Sequence, residues 1–332
     1  MPMPTFDLIA CTILGLIAIF GLFGNTNILI ATFRKPNFRN KAGIIICVVA
    51  LYDNISLLCS FSIIIRSFSG VKIQQHECFK TMGFCFAVQL FSICALLTLA
   101  IDRLVAVSFP CWYTTVKIWI PLLFATTLGA AASATFVSLS IVMMEPDHDI
   151  PVCSEGTALP RSIQKYGNLT FLVVNCTIIG IYILAYMILF VRRRHRSHID
   201  TAVSASLRIH EKAMKSIAFF VLVFCFSWFL SQILTSFLRN IESGTSPIIF
   251  ALKIVMICSI SFSYSHCYYV YFWTSKDYRA AFIEQLHCAF GFEAFQRFMG
   301  FKVFATSNVV LSTSVRRVQH VATPSRSFVR TV

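Results

Sequence analysis

Charge is what this chain has least of. Asp, Glu, Lys and Arg together make up 13% of its 332 residues, against about a quarter in an ordinary soluble domain. That excludes a water-facing globule, which needs more charge than this to cover its surface. Acidic residues are scarcest, at 14 against 28 basic ones. There is no nucleotide-binding loop, no metal-ligand spacing and no pair of carboxylates inside an apolar stretch, so neither a catalytic constellation nor a cofactor is expected. A membrane enzyme would need clustered His or carboxylates, which are missing. A transporter or channel would show paired helix breaks at midplane or several charges along a path, and one firm intramembrane charge is present, Asp53. No internal repeat stands out, and no linker divides the chain. No cleavable signal peptide is evident either. Only Met1 to Phe6 precede the first apolar run, which is too long for a signal-peptide core and reads as an uncleaved anchor. On that reading any ligand is captured by the bundle and its loops.

What is there is hydrophobic. Apolar residues make up 57% of the chain, Phe alone contributes 33, and mean hydropathy is +0.75. Seven stretches reach the roughly 20 residues that cross about 30 Å of hydrocarbon as a helix: near 7–33, 42–68, 80–107, 117–144, 168–191, 214–239 and 247–273. Lipid offers backbone groups no partner, so these are helical. The expected fold is an all-α membrane protein, a seven-transmembrane helix bundle over residues 1–291. Residues 275–290 form a short amphipathic eighth helix with Tyr278, Phe282, Leu286 and Phe290 near one face, and 292–332 a disordered tail.

With the N-terminus outside, 21 of the 28 basic residues fall on the inner side, as the positive-inside rule asks. The expected location is therefore the plasma membrane, multi-pass, with the C-terminus cytoplasmic. The net charge of +14 follows from this topology and from attraction to anionic membrane lipid; a nucleic-acid partner is not expected. Most of the 13 cysteines lie in apolar stretches, where a thiol behaves as a small hydrophobe. Cys78 and Cys153 differ, since both fall on the oxidising side. A bridge between them would tie a loop over the mouth of the bundle.

The polar residues within the spans have specific spacing. Gly24-Asn25 lies in the first and Ala50-Leu51-Tyr52-Asp53 in the second; Cys78 precedes Asp102-Arg103, which continues as Asp-Arg-x-x-x-x-x-x-Pro-x-x-Tyr through Pro110 and Tyr113. From Gly24 to about Phe290 this order resembles the rhodopsin-like G-protein-coupled receptors. Later landmarks depart from that pattern. Phe224-Cys225-Phe226-Ser227-Trp228 has Leu230 where a kinking proline is usual, and Cys267-Tyr268 stands for an Asn-Pro ahead of Tyr271. The fifth-span proline and the mid-fourth-span tryptophan are also absent. With the ending Tyr-Phe-Trp-Thr-Ser-Lys-Asp-Tyr-Arg, the chain is most similar to the nematode serpentine chemoreceptors of the Srsx type.

The resemblance implies a receptor that binds a small molecule in the bundle and activates a heterotrimeric G protein. The alternatives are a neuropeptide-type receptor of the same fold and, from a different class, a membrane transporter. It assigns the activation switch to Asp102, Arg103, Pro110 and Tyr113, with Tyr186 as the inner tyrosine of the fifth helix and Tyr271 that of the seventh. The plainer reading of Asp102-Arg103 is a salt bridge anchoring the helix at the membrane edge. His210 and Glu211 could lock Arg103 from the sixth helix. Asn25 and Asp53 would join Ser259, Ser263 and Cys267 in a polar network, either purely hydrogen-bonded or around a sodium ion; no other metal is expected. Phe224 and Trp228 form either a toggle or ordinary packing. Candidate pocket residues are Cys85, Phe86, Gln89, Ser231, Gln232 and Thr235. Cys85 stands where amine receptors carry an aspartate, which disfavours an ammonium ligand, and Ser261 where opsins carry their retinal lysine. The ligand itself stays unknown. The loop Glu145-Pro146-Asp147-His148-Asp149 either attracts a cationic peptide or is merely solvated. The Arg192–Arg196 run serves as stop-transfer charge and docking surface, and Cys288 is a palmitoylation candidate.

Overall fold

The computed structural model describes residues 5–69, 73–144, 149–150, 153, 155–196, 201–240 and 247–290. Among these the chain is almost wholly helical. Its elements are α1 (Thr5–Arg34), a short 3-10 turn (Pro36–Phe38), α2 (Lys41–Ser69), β1 (Ile73–Gln74), α3 (Gln75–Ser108) and α4 (Pro110–Thr115). They continue with α5 (Trp119–Val142), β2 (Asp149–Ile150), α6 (Glu155–Ala158), α7 (Arg161–Arg196), α8 (Thr201–Asn240), α9 (Pro247–Ser265), α10 (Cys267–Thr274) and α11 (Lys276–Phe290). The chain divides by compactness into Met1–Gln285 and Leu286–Val332.

Six of these helices are long and apolar enough to cross a membrane, with a shorter apolar stretch at Ile254–Ser265. The seventh span is therefore two elements: α9 and α10 meet at His266, where one continuous helix over 247–273 was expected. The backbone at the join stays helical, and the ladder crosses it through Val270 N to His266 O at 3.0 Å. The fifth span begins earlier than expected, at Arg161.

Helix α3 is the axis. Its apolar window is 72% buried, against 17% for α5 and 28% for α1. It packs against α2, α5 and α7, while α1 packs on α2 and α9, and α8 on α7 and α9. The outer faces carry large apolar side chains, among them Phe20, Leu123, Ile183, Phe219 and Phe226, each more than 40% exposed. Water would not tolerate so many together, and lipid does. Close approach of α1 to the seventh span depends on Gly24, where an added Cβ would lie 2.7 Å from the Tyr268 Cβ.

Each end of the bundle is tied. At one, β1 and β2 pair antiparallel with Ile73 opposite Ile150, and Cys78 is bonded to Cys153. At the other, the Pro36–Phe38 turn stacks Phe38 on Tyr278 of α11 (4.2 Å between centroids), and Lys35 pairs with Glu284 at 2.6 Å. Tyr278 and Phe282 are buried as the amphipathic reading requires; the side chain of Phe290 lies outside the described residues.

Candidate functional site

At the arginine end, α3 delivers Asp102 and Arg103 into a buried position, 6% and 9% exposed. Arg103 Nε donates to Asp102 Oδ2 at 3.0 Å, and Nη2 contacts the same oxygen. Nη2 also donates to the Tyr113 hydroxyl at 3.0 Å, which in turn donates to Asp102 Oδ2 at 3.2 Å. The three groups close a ring of charge-assisted hydrogen bonds. Pro110 makes it local: it occupies the first turn of α4, where a missing N–H costs nothing, and starts the short helix that returns Tyr113 to Arg103. Lys41 of α2 lies 3.8 Å over the Tyr113 ring and bonds its carbonyl. Burial pushes the Tyr113 hydroxyl up, so it remains a neutral donor and acceptor. Arg192 closes the end of α3 by donating to the carbonyls of Val107 (2.6 Å) and Ser108 (2.8 Å).

Of Tyr182 and Tyr186 in the fifth span, the expected one faces away from Arg103. Tyr186 is 46% exposed on the outside of α7, whereas Tyr182, at 6%, lies within electrostatic range of Arg103. The buried stripe of α7 runs Phe171, Asn175, Ile178, Tyr182, Ala185, Leu189, spaced by four and three residues in turn. Tyr186 falls off that stripe. Tyr271 of the seventh span is 2% exposed and also lies within electrostatic range of Arg103. Its ring lies 5.8 Å from Phe220 of α8 and 4.9 Å from Tyr278. The side chains of His210 and Glu211 lie outside the described residues, as do those of Arg193, His195, Arg196 and Cys288.

At mid-bundle, Asn25 Nδ2 donates to the Tyr264 carbonyl at 2.8 Å, linking α1 to α9. Asp53 accepts from Ser92 Oγ of α3 at 2.9 Å. Its hydrogen-bond partner is thus on the third span, where Ser259, Ser263 and Cys267 of the seventh were expected. Ser259 and Ser263 bond carbonyls of their own helix, at 2.6 Å each, and Cys267 is the seventh-span group in electrostatic range of Asp53. Asp53 Oδ2 and Asn25 Oδ1 have no hydrogen-bond partner among the described residues. Among the described residues no group of three or more His, Cys, Asp or Glu side chains comes together.

Nearer the disulfide end, Trp228 and Phe224 of α8 are both buried. Trp228 stacks on Phe171 of α7 at 4.6 Å and 13°, and Phe86 of α3 stands 6.1 Å from Phe171 and 5.8 Å from Phe136. Gln89 follows one turn on, 4% exposed, and Ser231 is fully buried. Ser231 Oγ and Trp228 Nε1 have no partner among the described residues. None of these groups is charged. Gln232 is only half-buried, and Thr235 donates to the Ser231 carbonyl at 2.8 Å. Cys85 does not offer a free thiol here: it is bonded to Cys59 of α2, with 6.1 Å between the Cα atoms. That second bridge was missed, because a cysteine in an apolar span carries no signal separating a bonded thiol from a packed one.

An Asp-Arg-Tyr cluster at one end of seven packed spans, a buried aromatic cluster nearer the other and a disulfide-tied loop are the features of a serpentine membrane receptor. The family model for the serpentine type 7TM GPCR chemoreceptor Srsx matches residues 18–286, and the chain belongs to that family. The family is a kind of receptor. Comparison with curated proteins gives no match.

Proposed function

We propose that this protein is a chemosensory receptor that binds a small uncharged molecule in a chamber opened among the aromatics of α3, α7 and α8 and activates a heterotrimeric G protein at the arginine end. The N-terminus and the Cys78–Cys153 loop face outside, and the tail faces the cytoplasm. The observation that carries the reading is the Asp102–Arg103–Tyr113 ring with Tyr182 and Tyr271 beside it. Arg103 is held by partners from its own helix and from α4, while two tyrosines from α7 and α10 stand ready as alternatives. Such an arrangement has two discrete states, and a ligand shifts their populations by its difference in affinity between them. The chamber supports an uncharged ligand because a desolvated ammonium or carboxylate would find no counter-charge among Phe86, Gln89, Phe171, Trp228 and Ser231. Asn25 and Asp53 serve as a hydrogen-bonded link among α1, α2, α3 and α9.

The test is calcium imaging of cells expressing the chain against a panel of neutral odorants, amines and peptides. A neutral odorant should evoke a response that Arg103→Ala removes while surface expression persists. A response surviving Arg103→Ala would refute the switch. Responses confined to peptides would move the protein to the neuropeptide class.

A further inference from the structure

His266 stands at the join of α9 and α10, immediately before the Cys267-Tyr268 pair, and it is 2% exposed. Its ring lies between two aromatics, Phe220 of α8 at 5.0 Å and Phe262 of α9 at 5.7 Å. Both ring nitrogens face carbonyl oxygens. Nδ1 is 3.2 Å from Phe262 O, one turn back on its own helix, and Nε2 is 3.1 Å from Phe220 O, across the gap to α8. A carbonyl can only accept, and a neutral imidazole carries one N–H. Serving both at once would require the imidazolium. Among the described residues no acidic group forms an ion pair with His266, and its polar neighbours are the backbones of Phe220, Phe262 and Ser263. A buried cation without a counter-charge is expensive, so the neutral ring must choose one acceptor. Phe262 O already accepts the backbone N–H of His266 at 3.2 Å. The contact that adds something to the bundle is therefore the one to Phe220.

We infer that His266 is a tautomer latch between the sixth and seventh spans. With the proton on Nε2 it ties α8 to the α9–α10 join. When α8 leaves, water enters the gap; the Nε2 proton passes to it and water returns one to Nδ1, so the water ends with the protons it began with. The ring stays neutral and keeps a satisfied donor, because Phe262 O travels with it. The latch thus has a partner in each state, which is what a bistable element needs. It acts next to the switch: Phe220 also packs on Tyr271, which lies within electrostatic range of Arg103. The inference rests on the receptor reading only for its consequence, the release of α8.

The experiment separates the two nitrogens by amide isosteres. The Gln amide nitrogen reaches where Nε2 lies and the Asn nitrogen where Nδ1 lies, whereas Phe keeps the ring stacking and removes both. The readout is the alkylation rate of a Met214→Cys receptor in detergent, followed at that peptide by mass spectrometry. Met214 is 3% exposed and packs against Val107, Ala185 and Leu189, so its accessibility reports α8 moving from α3 and α7. Loss of one hydrogen bond should raise the rate roughly two- to tenfold for His266→Phe and His266→Asn. His266→Gln should stay within about twofold of the parent. Equal acceleration by all three, or by none, would overturn the latch, as would protection by Asn in place of Gln. Ligand-free nucleotide exchange on a purified G-protein heterotrimer is measured in parallel. If alkylation follows the expected order and exchange does not, the latch stands and the coupling reading fails.

Discussion

Tyr113→Phe removes a single oxygen from the Asp102–Arg103 ring and leaves everything else in place. That oxygen accepts from Arg103 at 3.0 Å and donates to Asp102 at 3.2 Å, so its loss takes two hydrogen bonds from charged groups. Hydrogen bonds of that kind contribute about 1.5–3 kcal/mol each. Tyr113 is only half-buried and water can replace part of what is lost, so the lower figure is the fair one, about 1.5 kcal/mol for the pair. A shift of about 1.4 kcal/mol is tenfold in an equilibrium. If the active arrangement is about 1% populated at rest, the variant should show roughly tenfold higher ligand-free nucleotide exchange per receptor at the surface. The ring remains beneath Lys41, so yield should be unchanged. The pH dependence has a definite sign. Burial raises the hydroxyl above its ordinary value, and a group on the acid side of its pKa is protonated, so the gap between variant and parent should be flat from about pH 6 to 8. Unchanged or lowered basal exchange would refute the restraining role of Tyr113, and a gap that titrates in that window would refute the neutral hydroxyl.

The disulfides should each behave as a unit. Cys78→Ser and Cys153→Ser should be equally harmful to surface expression and no worse together, and the same should hold for Cys59→Ser with Cys85→Ser. Additive losses in either pair, or free thiols at those positions in peptide mass spectrometry, would argue against that bridge. Gly24→Ala should lower thermal stability by about 1–3 kcal/mol, because its methyl has to displace Tyr268. A melting temperature equal to the parent's would show that the two spans separate more easily than the close approach suggests.

The parts of the site that could be read in advance are those contiguous in sequence. Asp102, Arg103, Pro110 and Tyr113 lie within twelve residues, and a helix end followed by a proline-started turn brings them together with little help from elsewhere. Cys78 with Cys153 was also legible, since topology leaves both on one side. Tyr182 was not. α7 is apolar on every side, as a membrane helix is, so its inward stripe carries no contrast against lipid-facing residues and the eye settles on the wrong tyrosine. Ser92 as the partner of Asp53 was equally hidden, being one polar residue among many on the most buried helix. His266 precedes the Cys267-Tyr268 pair but carries no signal of its own, and its partner across the bundle is a carbonyl 46 residues away.

The sequence by itself determined a seven-span membrane protein, because scarcity of charge and span length are direct consequences of the bilayer as solvent, and the order of its motifs carried the likeness to the receptors. Tertiary structure alone decided which polar groups meet inside. In hydrocarbon every helix face is apolar, so hydrophobicity cannot say which face turns inward. Packing around α3 makes that choice: Tyr182 over Tyr186, Cys59 bonded to Cys85, and His266 between two carbonyls.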